Sequence, residues 1–296
     1  MKITQLYIYP IKSLRPTALN RSCVTRHGLS YDRHFMLLKV QPDKSLKNMQ
    51  VCHIQQMALF STDVVFPSES VDGFVTEEGR ILVRYQAPMG HPDRDAIKEL
   101  EIPLEPTDLQ GLRVLEVDIY STTAGLKLTR WTRNIRIWFS EWFGFEVLLV
   151  YLGGNRRLVL APLPLQKREG DETDEWITFA DMAPYLVVSE TSLEEVSDRL
   201  PEGDTMDVTK FRPNIVISGA EEAINVDYDT GAPGSGEAGT MLKKLMKDRR
   251  VDKGHKDSPV FGRYGFIDKG ADGLHIEVGD EVVVSRRNKE RTTFFI

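Results

Sequence analysis

The sequence predicts a mainly β protein of the α+β class, with two β-barrel-like domains and a few packed helices. Short runs rich in Val, Ile and Leu clearly outnumber the helical segments. The helical segments do not alternate with these runs, as a doubly wound parallel sheet would require. The 296 residues, 41% of them hydrophobic, suffice for one large core or two modest ones.

Nine segments have the length and composition of β-strands. They are rich in β-branched and other apolar residues, and Gly, Pro and Asp are frequent between them. The stretch Val278–Glu281 is typical of a turn and separates the last two. The predicted strands are Ile3–Tyr9, Phe35–Val40, Ile81–Tyr85, Arg113–Tyr120, Glu146–Leu152, Tyr185–Ser189, Asn214–Ser218, Leu274–Val278 and Glu281–Arg286.

The first predicted helix covers Trp131–Phe143 and is followed by Gly144, a residue type that commonly ends helices. Apolar side chains recur along it at helical spacing, so they fall on one face. The residues of this face are Trp131, Ile135, Trp138, Phe139 and Trp142. Such an aromatic stripe could form a stacking platform, but the spacing favours packing in the core.

The second predicted helix lies in the stretch SETSLEEVSDRL, residues 189–200. A capping box can form from Thr191 with Glu194 or from Ser192 with Glu195, and the sequence leaves both alternatives open. Three apolar side chains face the core, namely Leu193, Val196 and Leu200. Pro201 then ends the helix.

The remaining pattern predicts a domain boundary, a polar loop and a third helix. The boundary lies between Tyr120 and Leu128, ahead of the aromatic helix. The loop is Gln166–Glu175, and the third helix is Thr240–Arg249 with a threonine as its cap. The two predicted domains are residues 1–124 and 125–296.

The composition excludes several classes of function. A net charge of -6 argues against a nucleic-acid or membrane-surface binder, because no broad basic face is available. No apolar run is long enough to cross a bilayer as a helix, and the first residues, MKITQLYIYPIKSL, lack the apolar core of a signal peptide. We therefore expect an intracellular protein, with the choice between cytoplasm and mitochondrion left open.

The chain has two cysteines, Cys23 and Cys52. Two thiols exclude a disulfide framework and any zinc or iron–sulfur site built from several cysteines. Cys52 is followed by His53, but adjacent residues of a strand point to opposite faces, so a shared metal ion is disfavoured. A small buried thiol is the favoured interpretation of Cys52.

The acidic and glycine-rich stretch after residue 223 contains two tempting motifs. Gly234–Gly239 has the pattern G-x-G-x-x-G. The stretch before it, Asp227–Pro233, is rich in turn-forming residues, whereas a dinucleotide-binding loop requires a strand there. A calcium loop that starts at Asp227 fails as well, because Ala232 and Ala238 occupy the positions of the glycine and the bidentate carboxylate. A surface loop is the simpler interpretation.

Six other stretches together resemble one family. They are YPIKSL (9–14), GLSYDRHFM (28–36), FRPNIVISG (211–219), RRVDKG (249–254), SPVFGRY (258–264) and GLHIEVGDEV (273–282). The chain resembles the MOSC-domain proteins, with a MOSC N-terminal β-barrel domain before the MOSC domain proper. Within that family it is most similar to the mitochondrial amidoxime-reducing components.

The resemblance implies a molybdenum cofactor (molybdenum-molybdopterin) held between two domains. It also implies an oxidoreductase that reduces small N-oxygenated substrates with electrons from haem and flavin proteins. Family members of the mitochondrial branch carry an N-terminal anchor, whereas this chain starts at its first strand. Labels that mention pyridoxal phosphate belong to the related sulfurases, and nothing here resembles their pyridoxal-phosphate domain.

The resemblance also implies a set of cofactor-binding residues, and each has suitable chemistry. Lys12 and Ser13 can bind a phosphate through a positive charge and a hydroxyl. Arg33 and Arg212 offer guanidinium groups, which are planar sets of hydrogen-bond donors. The set is Lys12, Ser13, Arg33, Arg212, Asn214 and Tyr264. Two further family positions match Met182 and Ala183, where any contact would be through the backbone. The alternative for each polar residue is a capping or surface role.

One family feature is missing from the chain. In the family, the cysteine that ligates molybdenum follows FRPNIVISG, within a block that precedes the turn matching VDYDTG. Here Ala223 is followed directly by Ile224, and no cysteine occurs after Cys52. A thiolate is a soft ligand that carboxylates do not replace well, and lost strands expose sheet edges. We therefore expect weak or no molybdenum binding and reduced stability.

Three functions remain open at this point. The first is the amidoxime-reducing type of molybdenum oxidoreductase. The second is a binding protein that keeps the anion-binding residues but does not ligate metal, through a real deletion or an error in the gene model. The third is a sulfur-handling domain similar to the C-terminal part of the molybdenum cofactor sulfurases.

Overall fold

A computed structural model describes the greater part of the chain and confirms a mainly β fold. The described residues are 1–69, 75–92, 94, 97–106, 114–117, 126–130, 133–159, 176–220, 245, 249 and 261–285. Within these ranges, short strands far outnumber the two α-helices.

The elements follow one another in chain order. The strands are β1 (Lys2–Ile8), β2 (Thr17–Leu19), β3 (Arg21–Thr25), β4 (Gly28–Leu29), β5 (Phe35–Val40), β6 (Leu46–Asn48), β7 (Phe60–Val65), β8 (Ser68–Glu69), β9 (Val75–Glu77), β10 (Arg80–Tyr85), β11 (Lys98–Pro103), β12 (Val114–Val117), β13 (Leu126–Arg130), β14 (Val147–Tyr151), β15 (Arg157–Leu158), β16 (Trp176–Ile177), β17 (Tyr185–Ser189), β18 (Ile215–Ser218), β19 (Arg263–Gly265) and β20 (His275–Glu277). The helices are α1 (Arg133–Phe143) and α2 (Glu190–Ser197).

The chain forms two compact units, and each draws on separate stretches of sequence. Unit one comprises Met1–Ile8, Ala18–Ser30 and Arg157–Ile296, and unit two comprises Tyr9–Thr17 and Tyr31–Arg156. The predicted domain boundary at residues 124 and 125 lies outside the described residues and stays a prediction.

Over its described residues, unit two contains two larger antiparallel sheets, the two-stranded sheet of β8 and β9, and one α-helix. The first sheet has the order β12-β13-β14-β5-β6, and the second has the order β11-β10-β7. Helix α1 ends at Phe143, and the φ of 74° at the next residue, Gly144, suits the left-handed position after a helix. Phe139 and Phe143 are buried in the core, and Trp142 stacks on Tyr85 with centroids 4.2 Å apart. The interpretation of the aromatic stripe as core packing is confirmed; Trp131 lies outside the described residues.

Unit one is centred on a mixed sheet in which β19, β17, β18 and β1 are neighbours in that order. Strands β17 and β18 run parallel, and β18 pairs antiparallel with β1. Helix α2 connects to the sheet directly after β17, and its Val196 packs into the apolar cluster that contains Phe211 and Phe261. The sheet thus places the end of β1 close to the starts of β17 and β18.

The start of α2 differs from both predicted capping boxes. Ser189 is the N-cap, and its hydroxyl accepts a hydrogen bond from the Ser192 backbone N–H at 3.1 Å. Thr191 instead donates its hydroxyl to the Ala220 carbonyl at 2.8 Å. The prediction failed because β17 runs straight into the helix, so its last serine is already in the extended conformation that an N-cap requires. The helix also ends at Ser197, well before Pro201.

Two other predictions need correction. The segment Glu281–Arg286 is no strand over its described part: only Glu281 forms a bridge, to Lys2, while Val283 is 73% exposed. A run of valines forms a strand only if a neighbouring strand is available to pair with it. Cys52 lies in a turn rather than a strand and is half-buried, so the strand argument about Cys52 and His53 was wrong.

Several predicted features lie outside the described residues. They are the loop Gln166–Glu175, the junction of Ala223 with Ile224, the glycine-rich stretch after it, and most of the helix Thr240–Arg249. Of that helix, Leu245 and Arg249 are described, and both are buried.

Candidate functional site

The six predicted site residues divide evenly between the two units. Lys12, Ser13 and Arg33 belong to unit two, whereas Arg212, Asn214 and Tyr264 belong to unit one. Four of the six are buried, and Arg212 and Tyr264 are half-buried. Polar and charged side chains are mostly exposed in proteins, so those that are buried require compensating contacts.

The residues of the YPIKS motif are held against the start of β5. The Lys12 backbone N–H donates to the Phe35 carbonyl at 2.8 Å, and the Phe35 N–H donates to the Pro10 carbonyl at 3.0 Å. Ile11 and Phe35 form a parallel bridge. These contacts fix Lys12 and Ser13 immediately beside the turn that carries Arg33.

Arg33 is locked in place by Tyr9 and Asp32. Its guanidinium carbon lies 4.6 Å from the centroid of the Tyr9 ring, and its backbone N–H donates to the Tyr9 carbonyl at 2.8 Å. The guanidinium also donates to the Asp32 carboxylate, whose other oxygen accepts the Tyr9 N–H at 2.8 Å. The role of Asp32 was not predicted from the sequence. The one available signal was that this carboxylate directly precedes a candidate arginine.

Left-handed backbone conformations concentrate at the predicted residues. Among the described non-glycine residues, φ is 70° at Ser13, 55° at Arg33 and 58° at Arg212, and the two others with positive φ are Tyr31 and Lys44. This conformation is uncommon for residues with a Cβ, and it is retained where the surroundings enforce it, often at functional sites. Three of the six predicted residues therefore carry strain that the fold must hold.

Arg212 follows a short 3-10 turn, Val208–Phe211, in unit one. Its backbone N–H donates to the Thr209 carbonyl at 3.1 Å. The next residue is Pro213, and a residue before proline favours an extended backbone, so the left-handed conformation of Arg212 is further disfavoured. Phe211 stacks on Phe261 with centroids 3.6 Å apart, so the backbone on the N-terminal side of Arg212 is anchored in the core.

Asn214 has a clear structural task in unit one. Its side-chain amide donates to the Tyr7 carbonyl at 3.2 Å, and its side-chain oxygen accepts the Leu186 backbone N–H at 3.2 Å. The residue thus ties the end of β1 to the start of β17 across the start of β18. Its predicted contact with a cofactor stays a prediction beside this role.

Tyr264 is placed by β19, opposite Leu186 of β17. Gly262 precedes this strand with a φ of 81°, and a Cβ on it would meet the Val188 Cγ2 atom at 2.9 Å. The close approach explains why glycine occupies this position of the PVFG-x-Y motif. The side chain of Tyr264 is half-buried at the edge of the apolar cluster of unit one.

The loop before β17 contains the two positions at which backbone contacts are predicted, Met182 and Ala183. Arg157, which is 4% exposed, donates to the Ala180 carbonyl and to the Asp181 carbonyl, the latter at 2.5 Å. A buried guanidinium thus fixes the shape of this loop. Arg157 was not predicted from the sequence, because the residues around it give no signal for this role.

Burial raises the pKa of the Tyr7 phenol, and the negative charge of Asp207 raises the pKa further. The Tyr7 hydroxyl donates to the Gln5 side-chain oxygen at 2.6 Å. Tyr7 is therefore a neutral hydrogen-bond donor at physiological pH, and its backbone carbonyl is the group that the Asn214 amide binds.

The residues that the structure describes contain no group of three His, Cys, Asp or Glu side chains placed to hold a metal ion. Cys23 lies in β3, and Cys52 lies in a turn of the other unit. Across the described ranges, no helix is both long and apolar enough to cross a membrane.

The fold and these motifs define a MOSC-domain protein. The sequence matches the MOSC N-terminal beta barrel domain over residues 1–135 and the MOSC domain over residues 174–230. The chain belongs to this family, as the sequence motifs predicted.

The chain is also similar to individual proteins of this family. It is 24% identical over 317 residues to mitochondrial amidoxime-reducing component 1 of Mus musculus, covering 95% of this chain and 81% of the relative. The corresponding protein of Xenopus laevis is 23% identical over 316 residues, with the same coverage. A molybdenum cofactor sulfurase of Oryza sativa is 24% identical over 225 residues, or 74% of this chain and 24% of the relative.

Proposed function

We propose that this chain binds molybdopterin or a chemically similar phosphate ester, and that it ligates molybdenum weakly or not at all. The observation that carries the proposal is the buried set Lys12, Ser13 and Arg33, which unit two holds in a constrained conformation. An ammonium, a hydroxyl and a guanidinium are the groups that proteins commonly use to bind phosphate.

Each residue of this set has a distinct part in binding. Lys12 supplies a positive charge, Ser13 supplies a hydroxyl donor, and Arg33 supplies a planar set of donors. Because Arg33 is held by Asp32 and by the Tyr9 ring, little side-chain freedom remains to be lost on binding. Arg212 of unit one carries a further guanidinium, and its backbone has the left-handed conformation.

The organic part of the cofactor fits the residues present, whereas the metal does not. A molybdenum centre of this family is bonded by a cysteine thiolate, and this chain has no cysteine after Cys52. Cys23 and Cys52 both fall in the N-terminal fifth of the sequence, far from the family position after FRPNIVISG. We therefore derive no reaction step at a metal.

Binding measurements with the full chain test the proposal. We expect Lys12→Met and Arg33→Gln to lose at least tenfold in affinity for molybdopterin or inorganic phosphate, since each removes a charged hydrogen-bond donor. The matched controls are Lys47→Met and Arg21→Gln, whose side chains are exposed and lie outside the set. Equal losses in the controls, or no binding by the wild type, contradict the proposal.

A second function has support from the relatives. The similarity to amidoxime-reducing components extends over 95% of this chain, and it supports reduction of N-hydroxylated compounds, with haem and flavin proteins as electron donors, as a second candidate function. The assay is reduction of an amidoxime or hydroxylamine by the purified chain with those partners. Turnover by the wild type that disappears in Arg212→Ala favours this second function. The mitochondrial amidoxime-reducing components among these relatives also support a mitochondrial location.

The sulfurase alternative receives less support. The similarity to the rice molybdenum cofactor sulfurase covers 24% of that protein, and the sulfur chemistry expected of such enzymes depends on a pyridoxal-phosphate domain that this chain does not resemble. Absence of persulfide formation with a sulfur donor, measured on the intact chain, is the expected result.

A further inference from the structure

We propose that Asp32 is an internal counter-anion that competes with the ligand's phosphate for Arg33. The carboxylate holds Arg33 ready when no anion is bound, and it limits how strongly the site attracts anions. This inference rests on the proposed function, because it names the residue that sets the anion affinity of the same site.

The first step is geometric. Asp32 is 0% exposed, and each of its carboxylate oxygens has a partner: one accepts the Tyr9 backbone N–H at 2.8 Å, and the other accepts the Arg33 guanidinium. The Arg33 side chain is itself only 7% exposed. The pair is therefore a buried ion pair, and solvent screens it little.

The second step is electrostatic. The Asp32 carboxylate compensates the positive charge of Arg33. A phosphate that approaches Arg33 is attracted by the guanidinium and repelled by Asp32, and both effects are strong because the medium is poorly polarisable. Removal of the carboxylate takes away this repulsion and one partner of the buried guanidinium, so an incoming anion binds more tightly. Asp32 thus has opposite effects on the stability of the fold and on anion affinity.

The consequence concerns ligand selection. Because Asp32 opposes the attraction of Arg33 for any anion, the remainder of the ligand must contribute more of the affinity. Asp32 therefore favours a phosphate ester with a large organic part, such as a pterin, over free inorganic anions.

The test is the Asp32→Asn variant of the full chain, with inorganic phosphate as the probe. Asparagine has nearly the same shape, but it removes the negative charge. We expect a lower unfolding midpoint without phosphate and roughly tenfold tighter phosphate binding. Asp43→Asn, an exposed carboxylate of the same unit, should change neither quantity. Unchanged or weaker phosphate binding in Asp32→Asn overturns the inference.

A second comparison applies if Asp32→Asn does not fold. The neutral pair Asp32→Asn/Arg33→Gln is then compared with Arg33→Gln alone, since only the latter keeps the buried carboxylate. We expect tighter phosphate binding by the pair, and equal or weaker binding overturns the inference. If the wild type binds neither phosphate nor molybdopterin, the proposed function fails as well; if it binds both and Asp32→Asn binds phosphate no better, this inference alone fails.

Discussion

The guanidinium of Arg33 lies 4.6 Å above the ring of Tyr9, and the backbones of the same two residues are joined by a 2.8 Å hydrogen bond. The ring contact orients the Arg33 side chain, and the backbone hydrogen bond holds the turn that carries Arg33. Two motifs whose residues Tyr9 and Arg33 are 24 positions apart in the sequence thereby form the arrangement that we propose binds an anion.

Replacement of the Tyr9 ring tests this arrangement. Tyr9→Leu removes the aromatic face beneath Arg33, a contact worth about 0.5–2 kcal/mol, and we expect phosphate affinity to fall by roughly three- to tenfold. Tyr9→Phe keeps the ring and should retain most of the affinity. Isothermal titration with phosphate compares the two variants, and an equal effect of both would show that the ring has no part in holding Arg33.

Arg212 should be a strained residue whose replacement by glycine restores stability while binding is lost. A left-handed conformation costs a residue with a Cβ about 1–2 kcal/mol, and glycine avoids this cost. We expect Arg212→Gly to be more stable than Arg212→Ala by about 1 kcal/mol in urea unfolding, and both to bind molybdopterin poorly. A Gly variant that is no more stable than the Ala variant would argue against strain at this position.

Gly262 should be intolerant of a side chain. A Cβ there meets the Val188 Cγ2 atom at 2.9 Å and the Val187 carbonyl at 3.0 Å, in addition to the cost of a φ of 81°. We expect Gly262→Ala to lower the free energy of unfolding by about 2–4 kcal/mol. The control is Gly273→Ala, with a φ of 86° but no atom within 4 Å, which should lose only about 1–2 kcal/mol. Equal losses would show that the contact with β17 is not tight.

The stability of the fold should decline at alkaline pH. Burial raises the pKa of Tyr7, of Tyr85 and of Tyr151 above the ordinary value of 10.0. In the unfolded chain these phenols ionise near that value, whereas in the folded protein they stay protonated to higher pH. Their contribution is therefore complete below pH 10.0 and is lost as the pH rises towards the folded pKa. Urea unfolding between pH 9 and 11 should show a shallower decline for Tyr7→Phe than for the wild type, and identical slopes would contradict this.

The parts of the fold that the sequence predicts well are those with strong local signals. Phe35–Val40 and Tyr185–Ser189 are strands with the predicted bounds, because their apolar runs are buried between neighbouring strands. The predicted strand Glu281–Arg286 has a similar composition, but over its described part it lacks a partner beyond one bridge. Strand formation depends on neighbours that a local pattern does not contain.

The candidate site shows the same division. Arg33 and Arg212 could be chosen from motifs, because guanidinium chemistry suits a phosphate. The role of Asp32 could not, since it depends on the Tyr9 backbone N–H, 23 positions away. Likewise, the task of Asn214 follows from the carbonyl of Tyr7 on another strand, and it emerges only when β1 and β18 are paired.

The metal content of the purified chain tests the central claim most directly. The intact protein, expressed in cells that make molybdopterin, is analysed for molybdenum by mass spectrometry and for bound pterin by fluorescence after release. We predict molybdenum far below one atom per chain, together with pterin or phosphate binding that Arg33→Gln abolishes. One molybdenum atom per chain, with reduction of a hydroxylamine, would contradict the account.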